Sequence, residues 1–213
     1  LSFGWGSLLQ GVAGDYTFAD PLDLIPFAAL AGAVVLVGYL SIVVMQFPRR
    51  ALKEIPATIR PAVGVGLAGA ITLVILLSVG PENNLLFSIM GDGYGGLQHI
   101  LDGNGTWKIL LLLAAGKIVT SALTIQSGGA AGFFAPSMVI GGAIGGVIGI
   151  AFAAIMPGQW SESSTVGVLA LVGMAGYYAA VGKAPVSTVI MVSELTGSYH
   201  LLLPSMWVCT LAF

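Results

Sequence analysis

Charge is what this sequence has least of. Lys and Arg number 7 and Asp and Glu 9 in 213 residues, while 57% of the chain is apolar. A soluble domain is normally about 25% charged, because a water-facing surface depends on those groups. The chain is therefore neither a soluble enzyme nor a secreted domain. Cysteine is equally scarce: Cys209 stands alone, so no disulfide within the chain exists. His99 and His200 are far apart, and neither has partners at metal-ligand spacing. No metal or cofactor is expected. A net charge of -2 offers no basic stripe for nucleic acid.

What is there are long runs without Asp, Glu, Lys or Arg: Leu24 to Pro48, Pro61 to Gly80, Ile118 to Ser161, Ser163 to Gly182 and Leu195 to Phe213. About 20 residues of helix cross a hydrocarbon core, so each run is long enough to span. The third must hold more than one element. The 31 glycines, 4 Trp and 6 Tyr match the glycine content and interfacial aromatics of membrane helices. The fold class is all-α, polytopic and transmembrane, with the lipid bilayer as the surrounding partner and the cell membrane as the expected location. The chain starts at Leu1 and stops at Phe213 inside an apolar run, and the expectation is a piece of a longer protein.

Residues 1–23 form a Gly-rich mixture with Asp15, Asp20 and Asp23. The first full span is expected over Leu24 to Phe47, stopped by Pro48 for want of an amide. The second, Pro61 to Val79, opens on a proline suited to a first turn. Between them, Arg49, Arg50, Lys53 and Arg60 are four of the 7 basic residues. That clustering places the 49–60 loop in the cytoplasm and the acidic 80–105 segment, with Glu82, Asp92 and Asp102, outside. A short helix is expected at Gly95 to Leu101, a third span from Trp107 to Gln126, and a fourth helix from Pro136 to Ile155, ended by Met156-Pro157-Gly158. The loop Gln159-Trp160-Ser161-Glu162 comes next, outside. Val166 to Val181 reads as a helix, with Gly173 and Gly176 as candidate points of interruption and Lys183 inside. Ala184 to Leu195 is a short helix closed by Gly197, and Tyr199 or His200 opens the last.

Two glycine patterns stand out. Gly141, Gly145 and Gly149 recur every four residues, beside Gly142 and Gly146, and such a stripe lets a second backbone approach closely. A ligand contact on the stripe is the alternative. Upstream, Gly128, Gly129 and Gly132 lead into a helix with Pro136 in its first turn. Unpaired backbone inside a bilayer is tolerated only where protein or a water-lined cavity surrounds it. The amides around Gly132 to Phe134 lie free at the positive end of the helix dipole. An anion site without an ionised side chain follows, or else a tight turn between spans.

Gly132-Phe133-Phe134-Ala135-Pro136 resembles the Gly-x-Phe-x-Pro signature of the CLC family of chloride channels and proton-coupled anion antiporters. Its surroundings resemble the family too. They are Gly93 to Gln98, Lys117, Ser127-Gly128, Gly173-Met174, Lys183-Ala184-Pro185 and Glu194-Leu195-Thr196-x-x-Tyr199-x-Leu201-Leu202-Leu203-Pro204, in the family's order over roughly residues 24–213. The resemblance implies the second half of a CLC membrane domain, an inverted-repeat fold with tilted, broken and re-entrant helices. Residues 1–213 would then be part of one transmembrane domain, with its first half and last helix elsewhere. It also implies a homodimer with 184–195 and the helix after Tyr199 at the interface. The backbone amides of Phe133 and Phe134 would help coordinate the anion.

The family's first-half signatures, with the anion-binding serine and gating glutamate, are absent here, and the pore tyrosine falls beyond Phe213. Tyr199 sits in a structural context, and Glu194 reads as a fold residue at a helix end. Lys117 is expected in the inner half of its span, extending toward the cytoplasmic interface. A vestibule charge is the alternative for Lys117 and for Lys183. The implied function is transport of chloride or a similar small anion, by channel conduction or proton-coupled exchange, with protons as a second cargo in the latter. The alternatives are a non-conducting structural membrane protein and a transporter of another solute that retains the fold.

Overall fold

The computed structural model describes residues 24–79, 84–103, 105–155, 162–197 and 199–213. The expectations for residues 1–23, Glu82, the Met156–Gly158 helix end and the 159–161 loop lie outside them. Among the described residues eight α-helices occur in order: α1 Leu24–Ala51, α2 Arg60–Val79, α3 Tyr94–Leu101, α4 Trp107–Gln126, α5 Phe134–Ile155, α6 Glu162–Gly182, α7 Pro185–Thr196 and α8 Leu202–Ala212. Five of them, α1, α2, α4, α5 and the Thr165–Gly182 part of α6, are long and apolar enough to cross a membrane. The molecule is an integral, multi-pass membrane protein with an all-α fold.

Local signals account for most boundaries. Gly197 ends α7 in the left-handed conformation, φ 67°, with its amide on the Ser193 carbonyl. Glycine adopts that conformation without a Cβ penalty. Arg60, the first residue of α2, turns its guanidinium back to the carbonyls of Ile55 (2.9 Å) and Lys53 (3.3 Å). The basic loop is thereby folded onto the helix it precedes.

Two expectations need correction. Pro48 does not stop α1, which runs on to Ala51, with the Leu52 amide donating to the Pro48 carbonyl at 2.9 Å. Proline's fixed φ is already helical, and what it forfeits is a bond to the Val44 carbonyl. Gly173 and Gly176 do not interrupt α6, which is continuous. A mid-helix glycine costs about 1 kcal/mol, and both positions are filled from outside: Gly173 by the α5 backbone, Gly176 by Val208 and Val34. The segment before α3 also holds a 3₁₀ turn, Asn84–Ile89, that no periodicity announced.

The core centres on α5 against α6. A Cβ on Gly141 would strike the Gly173 carbonyl, one on Gly145 the Leu169 carbonyl, and one on Gly149 would lie 2.7 Å from Val166 Cα. Ascending numbers on α5 meet descending numbers on α6, so the two run antiparallel, backbone on backbone. The neighbouring stripe serves other helices: a Cβ on Gly142 would meet Leu97 of α3 at 2.5 Å, and one on Gly146 Leu110 of α4 at 3.0 Å. On its other side α6 meets α1 through a polar pair. The buried Tyr177 hydroxyl donates to Ser41 Oγ (2.7 Å), which donates to the Val37 carbonyl (2.7 Å). Each hydroxyl of the pair is satisfied, as burial requires.

Candidate anion site at the break between α4 and α5

α4 ends in a Schellman motif. Gly128 has φ 89°; its amide reaches the Ile125 carbonyl and the Gly129 amide the Thr124 carbonyl, each at 3.1 Å. These are the two reversed bonds that satisfy the last carbonyls of a helix. The Ala131 amide then donates to the Gly129 carbonyl at 2.9 Å, a three-residue turn. Phe133 caps α5: its carbonyl accepts from the Ser137 amide at 3.1 Å and from Ser137 Oγ at 2.6 Å. Phe134, Ala135 and Pro136 form the first turn of α5.

That geometry leaves donors over. The amides of Phe134 and Ala135 have no carbonyl one turn back, and Pro136 has no amide to orphan. Among the described residues, no acceptor pairs with the amides of Gly132, Phe133, Phe134 or Ala135. The donors stand at the positive end of a helix of 22 residues. The Phe134 ring is held aside, edge-on to Tyr178 of α6 with centroids 5.1 Å apart.

A cavity of about 590 Å³ opens here between α2, α4, the loop before α3 and the start of α5. Its lining brings together Gly132, Phe134 and Pro136 with Lys117. The other residues singled out in the sequence go elsewhere. Gly128 and Gly129 close α4, Phe133 packs partly buried against the core, and Gly141, Gly145 and Gly149 face α6. Lys183 is exposed with φ 54°. Its Nζ donates to the Phe213 carbonyl at 2.9 Å and lies over the Phe213 ring.

Lys117 differs most from expectation. It does not reach for the interface: it is 1% exposed. Its Nζ donates to the carbonyls of Ser88 (3.0 Å), Ile89 (3.3 Å) and Gly91 (2.7 Å). The 3₁₀ turn ends there with carbonyls left over, and these acceptors hold the ammonium inside. Sequence reading also missed Thr120 and Thr124, which line the cavity from the Lys117 side of α4. Spacing of i+3 and i+7 from a lysine was the available signal. Both hydroxyls donate to carbonyls of their own helix, Thr120 to Gly116 (3.0 Å) and Thr124 to Thr120 (2.8 Å). Among the described residues, the donors left to meet an anion are the backbone amides and the Ser121 hydroxyl, which lines the same cavity and has no partner. Glu194, at the end of α7, accepts from the exposed Tyr199 hydroxyl at 2.8 Å, far from the break in sequence.

The sequence profile of a family described as "Voltage gated chloride channel" matches residues 2–213. Curated relatives include the H(+)/Cl(-) exchange transporter ClcA of Vibrio campbellii, 34% identical over 116 residues, covering 54% of this chain and 24% of that protein. The protein of that name from Cronobacter sakazakii is 34% identical over 119 residues, 56% of this chain and 25% of its own length. A ClcB-like protein of Ralstonia nicotianae is 27% identical over 209 residues, 97% of this chain and 45% of that protein. The chain thus spans less than half the length of these relatives.

Proposed function

The chain belongs to the voltage-gated chloride channel family, and we infer that it forms the second half of a transmembrane domain that moves chloride or a similar small anion. Membership supports anion transport as the class of function. The observation that carries the finer reading is the run of amides from Gly132 to Ala135, unpaired among the described residues and beside a cavity at the start of α5. An anion entering a bilayer gives up hydration, and fixed amide dipoles replace it without the cost of burying an ionised ligand. Several moderate contacts also let the ion leave again, as transport requires. Chloride as the cargo is supported by the names of the ClcA relatives. No bond is made or broken in this chemistry.

We also assign the outward apolar face of α7 and α8 to a homodimer interface. Val186, Ile190, Leu203, Met206 and Trp207 are exposed along these two short helices, which are too short to span by themselves. In the same reading the 49–60 loop lies on the cytoplasmic side. The transport reading is tested on the full-length protein, by chloride titration calorimetry and by efflux from chloride-loaded liposomes. Binding and efflux are the expected results, by channel conduction or, with opposed proton movement, by exchange. A folded protein that neither binds nor passes chloride overturns the reading.

A further inference from the structure

The cavity carries two charged side chains of opposite sign, Lys117 and Asp92. We propose that these two charges set the anion affinity of the cavity through their field, with Lys117 acting as a buried ammonium that the anion never touches. The proposal rests on the anion-transport reading above and concerns positioning and electrostatics.

The carbonyl cage around Lys117 Nζ suits an ammonium. An ammonium has three N–H donors and a neutral amine two. Three carbonyls surround Nζ, those of Ser88, Ile89 and Gly91, at 2.7 to 3.3 Å. The protonated form satisfies all three and has no donor left over. Carbonyl dipoles solvate the charge without cancelling it, and among the described residues no carboxylate forms an ion pair with Lys117. In a site this buried the charge is poorly screened and acts across the cavity. Gly93 makes room for the arrangement: it has φ 84°, and a Cβ there would lie 2.9 Å from the Ser88 carbonyl and 3.3 Å from Lys117 Nζ.

Asp92 opposes this. Its Oδ1 accepts from the Gly93 amide at 3.0 Å, which fixes the carboxylate on the rim of the same cavity, and it is exposed. The weaker, better-solvated charge therefore disfavours the anion, and the buried one favours it. Removing Lys117 does more than delete a charge. It leaves three carbonyl oxygens beside the cavity, an arrangement that repels anions.

The full-length protein is titrated with chloride by calorimetry, as parent, Lys117→Met and Asp92→Asn. Asn keeps an oxygen for the Gly93 amide and removes the charge alone. Lys117→Met should weaken chloride binding by roughly tenfold or more, the order expected of a unit charge across a cavity of this size at an effective dielectric near 20. Asp92→Asn should tighten it about two- to fivefold, with an unchanged melting temperature. A purely structural role for Lys117 predicts parental affinity in any folded Lys117→Met, and a carboxylate without influence on the cavity predicts no change in Asp92→Asn. Either result overturns the proposal. If Lys117→Met does not fold, Asp92→Asn decides alone. Absence of chloride binding in the parent is a different result and removes the transport reading itself.

Discussion

α4 and α7 end on the same device, a glycine in the left-handed conformation, Gly128 at φ 89° and Gly197 at φ 67°. The chain then takes two different courses. After Gly197 it enters the 3₁₀ turn Tyr199–Leu201 and then α8, and the Tyr199 hydroxyl folds back on Glu194. After Gly128 it turns again at Ala131 and starts α5 beside a cavity, with four consecutive amides unpaired among the described residues. At one break the exposed Tyr199 hydroxyl bonds to Glu194, and Leu203 of the helix that follows faces outward. The other withholds its amides. The left-handed glycine is shared, and the difference lies in what surrounds the two breaks.

The contrast is most exposed to test at Phe134. Phe134→Pro removes one of the withheld donors and constrains Phe133 before it, so chloride binding by calorimetry and liposome efflux should both be lost in a protein that still purifies as a monodisperse species. Phe134→Ala keeps the amide. It should retain binding while losing roughly 2 kcal/mol of stability, less than a fully buried Phe would cost, because the ring is only partly buried. The reverse pattern, with Pro active and Ala dead, would make the ring the ligand or gate.

The second break is tested where it faces outward. Of the three consecutive leucines before Pro204, Leu201 is 0% exposed, Leu202 is half-buried and Leu203 is 66% exposed. Leu203→Glu places a charge on the proposed interface without disturbing the subunit's own core. Light scattering in detergent should move from dimer to monomer mass, and an unchanged mass removes α8 from the interface. A subtler test exchanges the two caps. Gly128→Ala and Gly197→Ala each place a side chain in the left-handed region at a cost of about 1–2 kcal/mol. Both should lower the melting temperature by a few degrees, and only Gly128→Ala should also reduce efflux. Equal efflux in the two variants would make the breaks functionally alike. Smallest of all, Tyr199→Phe removes a solvent-exposed hydrogen bond and should cost under about 1 kcal/mol with efflux intact. A loss of transport there would bring Tyr199 into the pathway.

Much of this architecture was legible because it is written in neighbouring residues. The limits of α3 and α4, the stop at Gly197 and the break from Gly128 to Phe133 depend on capping and on composition within a few positions. The glycine stripe of α5 announced a close approach, although not its partner. Where the sequence misled, distance along the chain was part of the reason. Pro48 and Gly173 look like interruptions to any local rule, yet the fixed φ of Pro48 is already helical and the α5 backbone packs against Gly173, so both sit inside continuous helices. The 3₁₀ turn before α3 has no period of its own.

By itself the sequence determined the solvent of this protein. With so few charges and such long apolar runs, burial in a bilayer is the one way to satisfy the hydrophobic effect along the chain. It also determined where helices must break, since glycine and proline act on the backbone they belong to. Tertiary packing settled which broken end would face a cavity and what charge that cavity would see. The fate of Lys117 is the clearest case. Its three acceptors lie 26 to 29 residues away in the chain, so only the packing of α4 against the 3₁₀ turn turns a side chain expected at the membrane surface into a buried ammonium. An unpaired charge is too costly to bury, and the fold supplies the carbonyls that make it tolerable.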